Sequence, residues 1–176
     1  MTRQIACLLA LLLSASCVAG QSDGIHTIYL VRHAEKMTDG TKDPTLTPCG
    51  KARAQALAGI LSSIDLDRIY SSDYRRTRET AEPTAAQQRI EVEIYDPAKL
   101  ADFVTVLQAT KRDVLVVGHS NTTAALAGLL INDGSYGSFD EKIYDRLYQV
   151  VLSDRGGRNH LLHQNFRCSS ALPRPN

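Results

Sequence analysis

The chain has 176 residues, 43% of them hydrophobic and 22% charged, which is room for one domain with a real core. A formal net charge of +1 excludes an extended nucleic-acid-binding face and gives no sign of a membrane-surface protein. The four cysteines show no metal-ligand spacing.

The first segment, "MTRQIACLLALLLSASCVAG" (1–20), is expected to be a secretory signal rather than part of the fold. It has one positive residue, Arg3, an apolar run from Ile5 to Leu13 and small residues after it, and the run is too short to span a bilayer. Cleavage near Ala19–Gly20 would leave a single mature domain over 21–176 in the periplasm. Cys17 opens a second reading, a lipid anchor on that cysteine, although "LSASC" has Ser14 where an acylation motif usually has leucine. Export also changes how the remaining cysteines are read. Cys49 and Cys168 are either one disulfide, pinning the C-terminal stretch to the start of the first helix, or two free thiols, and both readings stand.

Apolar runs at 26–31, 68–71, 90–95, 113–118 and 147–152 read as strands. Those at 28–31 and 114–117 are nearly continuous in Val, Ile, Leu and Tyr, as suits strands covered on both faces of a parallel sheet. Between them lie helical patterns. Thr47 and Pro48 make an N-cap and first helical position, followed by an apolar face of Ala54, Leu57, Ala58 and Leu61. A second helix should start after Ser72–Asp73 and be cut or kinked at Pro83. A third carries Leu100, Phe103, Val104 and Leu107 at helical spacing, and a fourth, 122–130, is apolar almost all round and should be buried. The end reads as a hairpin, "YQVVLS", turn "DRGGR", then "NHLLHQNF". The expected architecture is an α/β three-layer sandwich with a mostly parallel central sheet, helices on both faces and the C-terminal hairpin at the edge.

In such sheets ligands bind at the carboxyl ends of the strands. Three strands end in polar residues: "TIYLVRHAEK" in Arg32 and His33, "RIYSS" before "DYRRTRET", and "DVLVVGHSNT" in His119. A lone histidine after a strand is more often packed or solvated than catalytic, but two of them with an arginine cluster call for a common cause. Cations and imidazoles with few acidic partners suit a guest with several anionic oxygens, and phosphate is the commonest. Helix N-termini behind the strands would add backbone donors.

The stretches "LVRHAEK", "YSSDYRRTRETA" and "LVVGHSNTTAAL", in this order from about residue 26 to 152, resemble the three motifs of the histidine phosphatase superfamily, which includes the phosphoglycerate mutases. The resemblance implies His33 as a nucleophile that forms phosphohistidine, Arg32 and Arg76 as phosphate-binding residues, and His119 as the second pocket histidine. Arg75 and Arg78 would then be surface charges. The acid matches least well: Asp96 in "EVEIYDPAKL" is the first candidate, with a turn before Pro97 as its plain alternative, and Glu35 is the second.

The expected activity is therefore metal-independent hydrolysis of a small phosphorylated substrate, with no cofactor. A mutase would share the pocket, but only 43 positions separate His33 from Arg76, which leaves little room for a substrate-specific insertion. A phosphate-binding protein without turnover is the non-enzymatic alternative. "GHSNT" also resembles the G-x-S-x-G elbow of serine hydrolases, with Ser120 as nucleophile, but Thr122 would crowd the turn and the arginines would go unused. The segments 36–47 and 132–145, rich in Gly, Asp and Ser, should line the pocket mouth. Oligomeric state and the natural substrate are not legible.

Overall fold

A computed structural model of the chain describes residues 24–134 and 137–168. The expected signal segment, and Cys17 with it, lies outside these residues. Six strands form one sheet: β1 (His26–Arg32), β2 (Arg68–Ser72), β3 (Val92–Tyr95), β4 (Val114–Gly118), β5 (Arg146–Ser153) and β6 (Gly156–His163). Their order is β3-β2-β4-β1-β5-β6. The pairs β1·β4, β2·β4 and β2·β3 are parallel, whereas β1·β5 and β5·β6 are antiparallel. The sheet is thus mostly but not wholly parallel, with the hairpin at its edge.

Strand periodicity sorts the core into two layers. Ile28 and Leu30 of β1 pack with Val114 and Val116 of β4 against α3 (Leu100–Thr110) and α4 (Thr123–Leu130). Their neighbours Tyr29, Val31, Leu115 and Val117 point to the other face and pack against α1 (Pro48–Ile60) and α2 (Arg75–Gln88). Both faces of the central strands are covered, which is why their sequences run apolar without alternation. Among the described residues no helix is long and apolar enough to cross a membrane.

The cap of α1 is the one its sequence announces: Thr47 Oγ1 accepts from Gly50 N at 3.0 Å, and Pro48 takes the first helical position. Ala54, Leu57, Ala58 and Leu61 are all buried. Pro83 does not end α2, which runs on to Gln88. A proline inside a helix costs roughly 3 kcal/mol. Burial of Thr77, Thr80, Ala81, Thr84 and Ala85 on one side of α2 offsets that cost. β3 begins at Val92 rather than residue 90, because the Ile90 amide is used in closing the helix, donating to Ala85 O at 3.0 Å. The hairpin turn is also tighter than its composition suggests. Ser153 pairs directly with Gly156, whose φ of +125° suits glycine, and the two glycines belong to β6.

Cys49 and Cys168 form a disulfide, with Cα atoms 5.6 Å apart and 119 positions between them. It ties the stretch after β6 to the first turn of α1. Phe166 of that stretch lies on the Arg53 guanidinium, 4.9 Å from ring centre to Cζ.

Candidate active site

The strand order sets β2, β4 and β1 side by side and parallel, so their carboxyl ends open at one edge of the sheet. β1 delivers Arg32 and then His33, whose amide extends the ladder by donating to Gly118 O at 2.9 Å. β4 ends at Gly118, just before His119. A side chain at Gly118 would meet Thr122 Oγ1 and Tyr95 Oη, each at 2.8 Å, so the close turn into α4 requires glycine. That turn is held by the Thr122 hydroxyl, which accepts from the His119 amide at 2.9 Å, while Thr123 N donates to His119 O. Tyr95 braces it from below: its ring stacks on Phe103 at 4.3 Å, and burial pushes its hydroxyl up to about 12.

The His33 and His119 ring centres lie 5.6 Å apart, nearly edge to face. His33 is 3% exposed, and its Nδ1–H donates to Ala34 O at 2.8 Å, since a carbonyl can only accept. The lone pair therefore sits on Nε2. His119 Nδ1 faces Arg76 Nη2 at 3.5 Å, and a guanidinium can only donate. His119 Nε2 then carries the proton and donates to Ser72 Oγ at 2.8 Å, which passes its own on to Thr77 Oγ1 at 3.1 Å. Burial pulls His33 down to about 3, with the Arg32 and Arg76 charges adding to it against the opposing Ala34 bond. Burial, then Arg76, Arg32 and Lys36, lower His119 to about 4. Both rings are neutral at pH 7.

Arg32 is 3% exposed. It donates from Nη1 to the carbonyls of Glu141 and Ile143, the latter at 3.1 Å, and its Cζ lies 4.3 Å over the Tyr144 ring. Burial lowers its pKa, and the Tyr144 hydroxyl and Glu141 carboxylate work in the other direction. Arg76 lies over the Tyr74 ring at 4.3 Å, and Asp43 Oδ1 is 3.5 Å from its Nη1. The Nε of each arginine is buried without a partner, so neither guanidinium has spent all of its donors on the protein. Ala34 N donates to Thr80 Oγ1 at 3.0 Å, which locks the end of β1 to the helix that carries Arg76.

These side chains line one cavity of about 380 Å³, together with Lys36, Tyr74, Asn121 and Glu141. Arg32, His33, Arg76 and His119 are thus brought together. Asp96 is not among the lining residues: it is exposed, and its Oδ1 accepts from Ala98 N at 2.9 Å in the turn around Pro97. Glu35 is held elsewhere by Arg53, whose Nη2 reaches Oε1 at 2.6 Å. Arg75 and Arg78 are exposed beside Glu79 and Asp73. Ser120 is buried at the cavity wall. Glu35 also lies beside Cys49 and Cys168, but the sulfurs are bonded to each other and its carboxylate to Arg53, so the trio has no thiolate to offer a metal.

Several residues in or against the site carry no sequence signal of their own. Ser72 and Tyr74 stand inside the quoted arginine motif, and Glu141 and Tyr144 inside the segment expected at the pocket mouth. Nothing local marks them as partners of His119 and Arg32.

Residues 28–103 match the profile of the histidine phosphatase superfamily, branch 1. A Citrobacter koseri protein named "Probable phosphoglycerate mutase GpmB" is 31% identical over 135 residues, covering 73% of this chain and 58% of its own. Phosphoserine phosphatase 1 of Hydrogenobacter thermophilus is 42% identical over 71 residues, 37% of this chain and 34% of its own. The chain thus spans well under two thirds of the length of these curated relatives. Among solved structures, the protein histidine phosphatase SixA complexed with tungstate superposes with a TM-score of 0.66 at 18% identity, over 78% of this chain and 96% of that one, a likeness of fold. From its three strand-end motifs, its fold and these matches, the chain belongs to the histidine phosphatase superfamily.

Proposed function

We propose that the protein is a phosphatase that hydrolyses small phosphate monoesters through a phosphohistidine on His33. One observation carries this reading: two neutral imidazoles, 5.6 Å apart, share a cavity with two buried-side guanidinium groups. His33 Nε2 attacks phosphorus as the bond to the leaving oxygen breaks. Water then attacks phosphorus, the P–N bond breaks, and inorganic phosphate leaves with the imidazole restored. The covalent intermediate divides one difficult displacement into two. Arg32 and Arg76 meet the charge on the equatorial oxygens, and His119, held between Arg76 and Ser72, lines the same pocket beside them. None of these roles requires a metal.

Relatives named as phosphatases support hydrolysis, and those named as mutases share the first half-reaction, differing in whether water or a second hydroxyl accepts the phosphoryl group. Export to an oxidising compartment belongs to the same reading and is supported by the Cys49–Cys168 disulfide. The test is p-nitrophenyl phosphate turnover with EDTA present, with rapid acid- and base-quench trapping of the phosphoenzyme. The wild type should turn over and form an acid-labile, base-stable adduct, and His33→Ala should lose both, falling about 10⁴-fold or more in rate. Turnover that survives His33→Ala, or that EDTA abolishes, would overturn it.

A further inference from the structure

The two carboxylates singled out in the sequence are occupied: Glu35 by Arg53, Asp96 by its own turn. Asp43 approaches the site, but its Oδ1 accepts from the Arg75 amide at 2.9 Å and pairs with Arg76 Nη1. Among the described residues Glu141 is the one carboxylate lining the cavity, and its charge acts on the nearby Arg32 rather than being tied up in a turn or a close ion pair such as those of Asp96 and Glu35. Its backbone is nevertheless fixed, because Arg32 Nη1 donates to the carbonyls of Glu141 and Ile143 and its guanidinium lies on Tyr144. The Tyr144 ring is in turn 6.3 Å from His33. The arginine proposed to meet the phosphoryl group therefore also clamps down the segment bearing that carboxylate.

We propose that Glu141 is the proton donor to the leaving oxygen of the substrate, and the base that takes a proton from the attacking water. This rests on the phosphatase reading above. In the first step the His33 Nε2–P bond forms, the P–O bond breaks, and the Glu141 carboxyl proton passes to the departing oxygen. In the second step a water proton returns to the Glu141 carboxylate as the O–P bond forms and the P–N bond breaks. Protons and charge balance over the cycle, with an alcohol and inorganic phosphate as products. General acid catalysis of this kind contributes about 10²–10⁴-fold, and matters most when the leaving group is a poor one. Glu141 thereby fits the site to alkyl phosphates, whose departing alkoxide needs a proton.

The experiment compares kcat/KM of wild type, Glu141→Gln and Asp96→Asn on ethyl phosphate, phenyl phosphate and 2,4-dinitrophenyl phosphate. Glu141→Gln should lose at least about 10²-fold on ethyl phosphate but only a few-fold on the dinitrophenyl ester. Asp96→Asn should match the wild type on all three. Equal losses by Glu141→Gln on every ester, no loss on any, or a leaving-group-dependent loss in Asp96→Asn would each overturn the assignment. Failure of the phosphatase reading looks different: the wild type itself would then form no phosphohistidine and release no phosphate from the dinitrophenyl ester.

Discussion

The two walls of the cavity are built differently. One wall is the row of strand ends, where His33 and His119 sit within a residue of regular structure and are held by the sheet ladder and by bonds within their own turns. The other is the irregular stretch around Glu141 and Tyr144, held across 109 and 111 positions by one side chain, Arg32. Positioning on regular structure suits the groups proposed to meet phosphorus, where misplacement by an ångström is costly. A wall hung from loops can vary without disturbing them, as befits the part that faces the rest of the substrate.

The first way to test this division is to damage the rigid wall. Arg76→Ala removes a charge proposed to meet the phosphoryl oxygens, together with the stacking on Tyr74 and the contact to His119. Its kcat/KM for p-nitrophenyl phosphate should fall by about 10³-fold or more, by analogy with arginine fingers. Circular dichroism should be unchanged, because the side chain lies at the cavity. A loss of under tenfold would remove Arg76 from the phosphate pocket.

A smaller effect on activity is expected from the strap that ties the stretch after β6 to α1. Cys49→Ser opens a loop closure of 119 positions, which loop entropy values at about 4–5 kcal/mol. Tm should fall by several degrees, while kcat/KM should change by less than about tenfold, because neither sulfur lines the cavity. The protein recovered from cells should carry no free thiol at either position if it is exported. Free thiols in freshly isolated protein, or an unchanged Tm, would count against that reading.

The smallest effect concerns pH. His33 is held down to about 3, so its nucleophilic free base persists well below the ordinary histidine range. After correction for substrate ionisation, kcat/KM for 2,4-dinitrophenyl phosphate should show no histidine-type loss between pH 7 and about 5. A titration step near pH 6.5 would show that the ring is more hydrated than its burial implies. The sign for stability is the reverse of a paired histidine. Below about pH 6.5 the unfolded chain binds protons that folded His33 and His119 do not. Stability therefore falls as pH drops from there towards their folded values. Added phosphate, which favours imidazolium, should protect more strongly at the acid end of that window.

Much of this was legible from the chain because it depends on near neighbours. The apolar runs announced β1 and β4 as strands covered on both faces, and Thr47–Pro48 marked the start of α1. His33, Arg32 and His119 follow their strands directly, so the strand assignments alone carried them to the carboxyl edge. Arg76 needed the motif as well, since nothing in "RRTR" separates one arginine from the next until the helix turns Arg75 and Arg78 outward. Pro83 does not cut α2, because its local cost is outweighed by contacts that the helix makes elsewhere. The disulfide was left open for a similar reason, as two cysteines carry no information about their distance in space.

Asp96 and Glu141 mark the limit most sharply. Both are exposed acids on irregular backbone, and their sequence surroundings rank Asp96 ahead, close behind a strand. Which carboxylate lines the cavity depends on where a guanidinium from β1 anchors a segment more than a hundred positions away. Periodicity and capping are short-range effects, written in runs of a few residues. The closure of that second wall is a long-range one, and only the folded chain decides it.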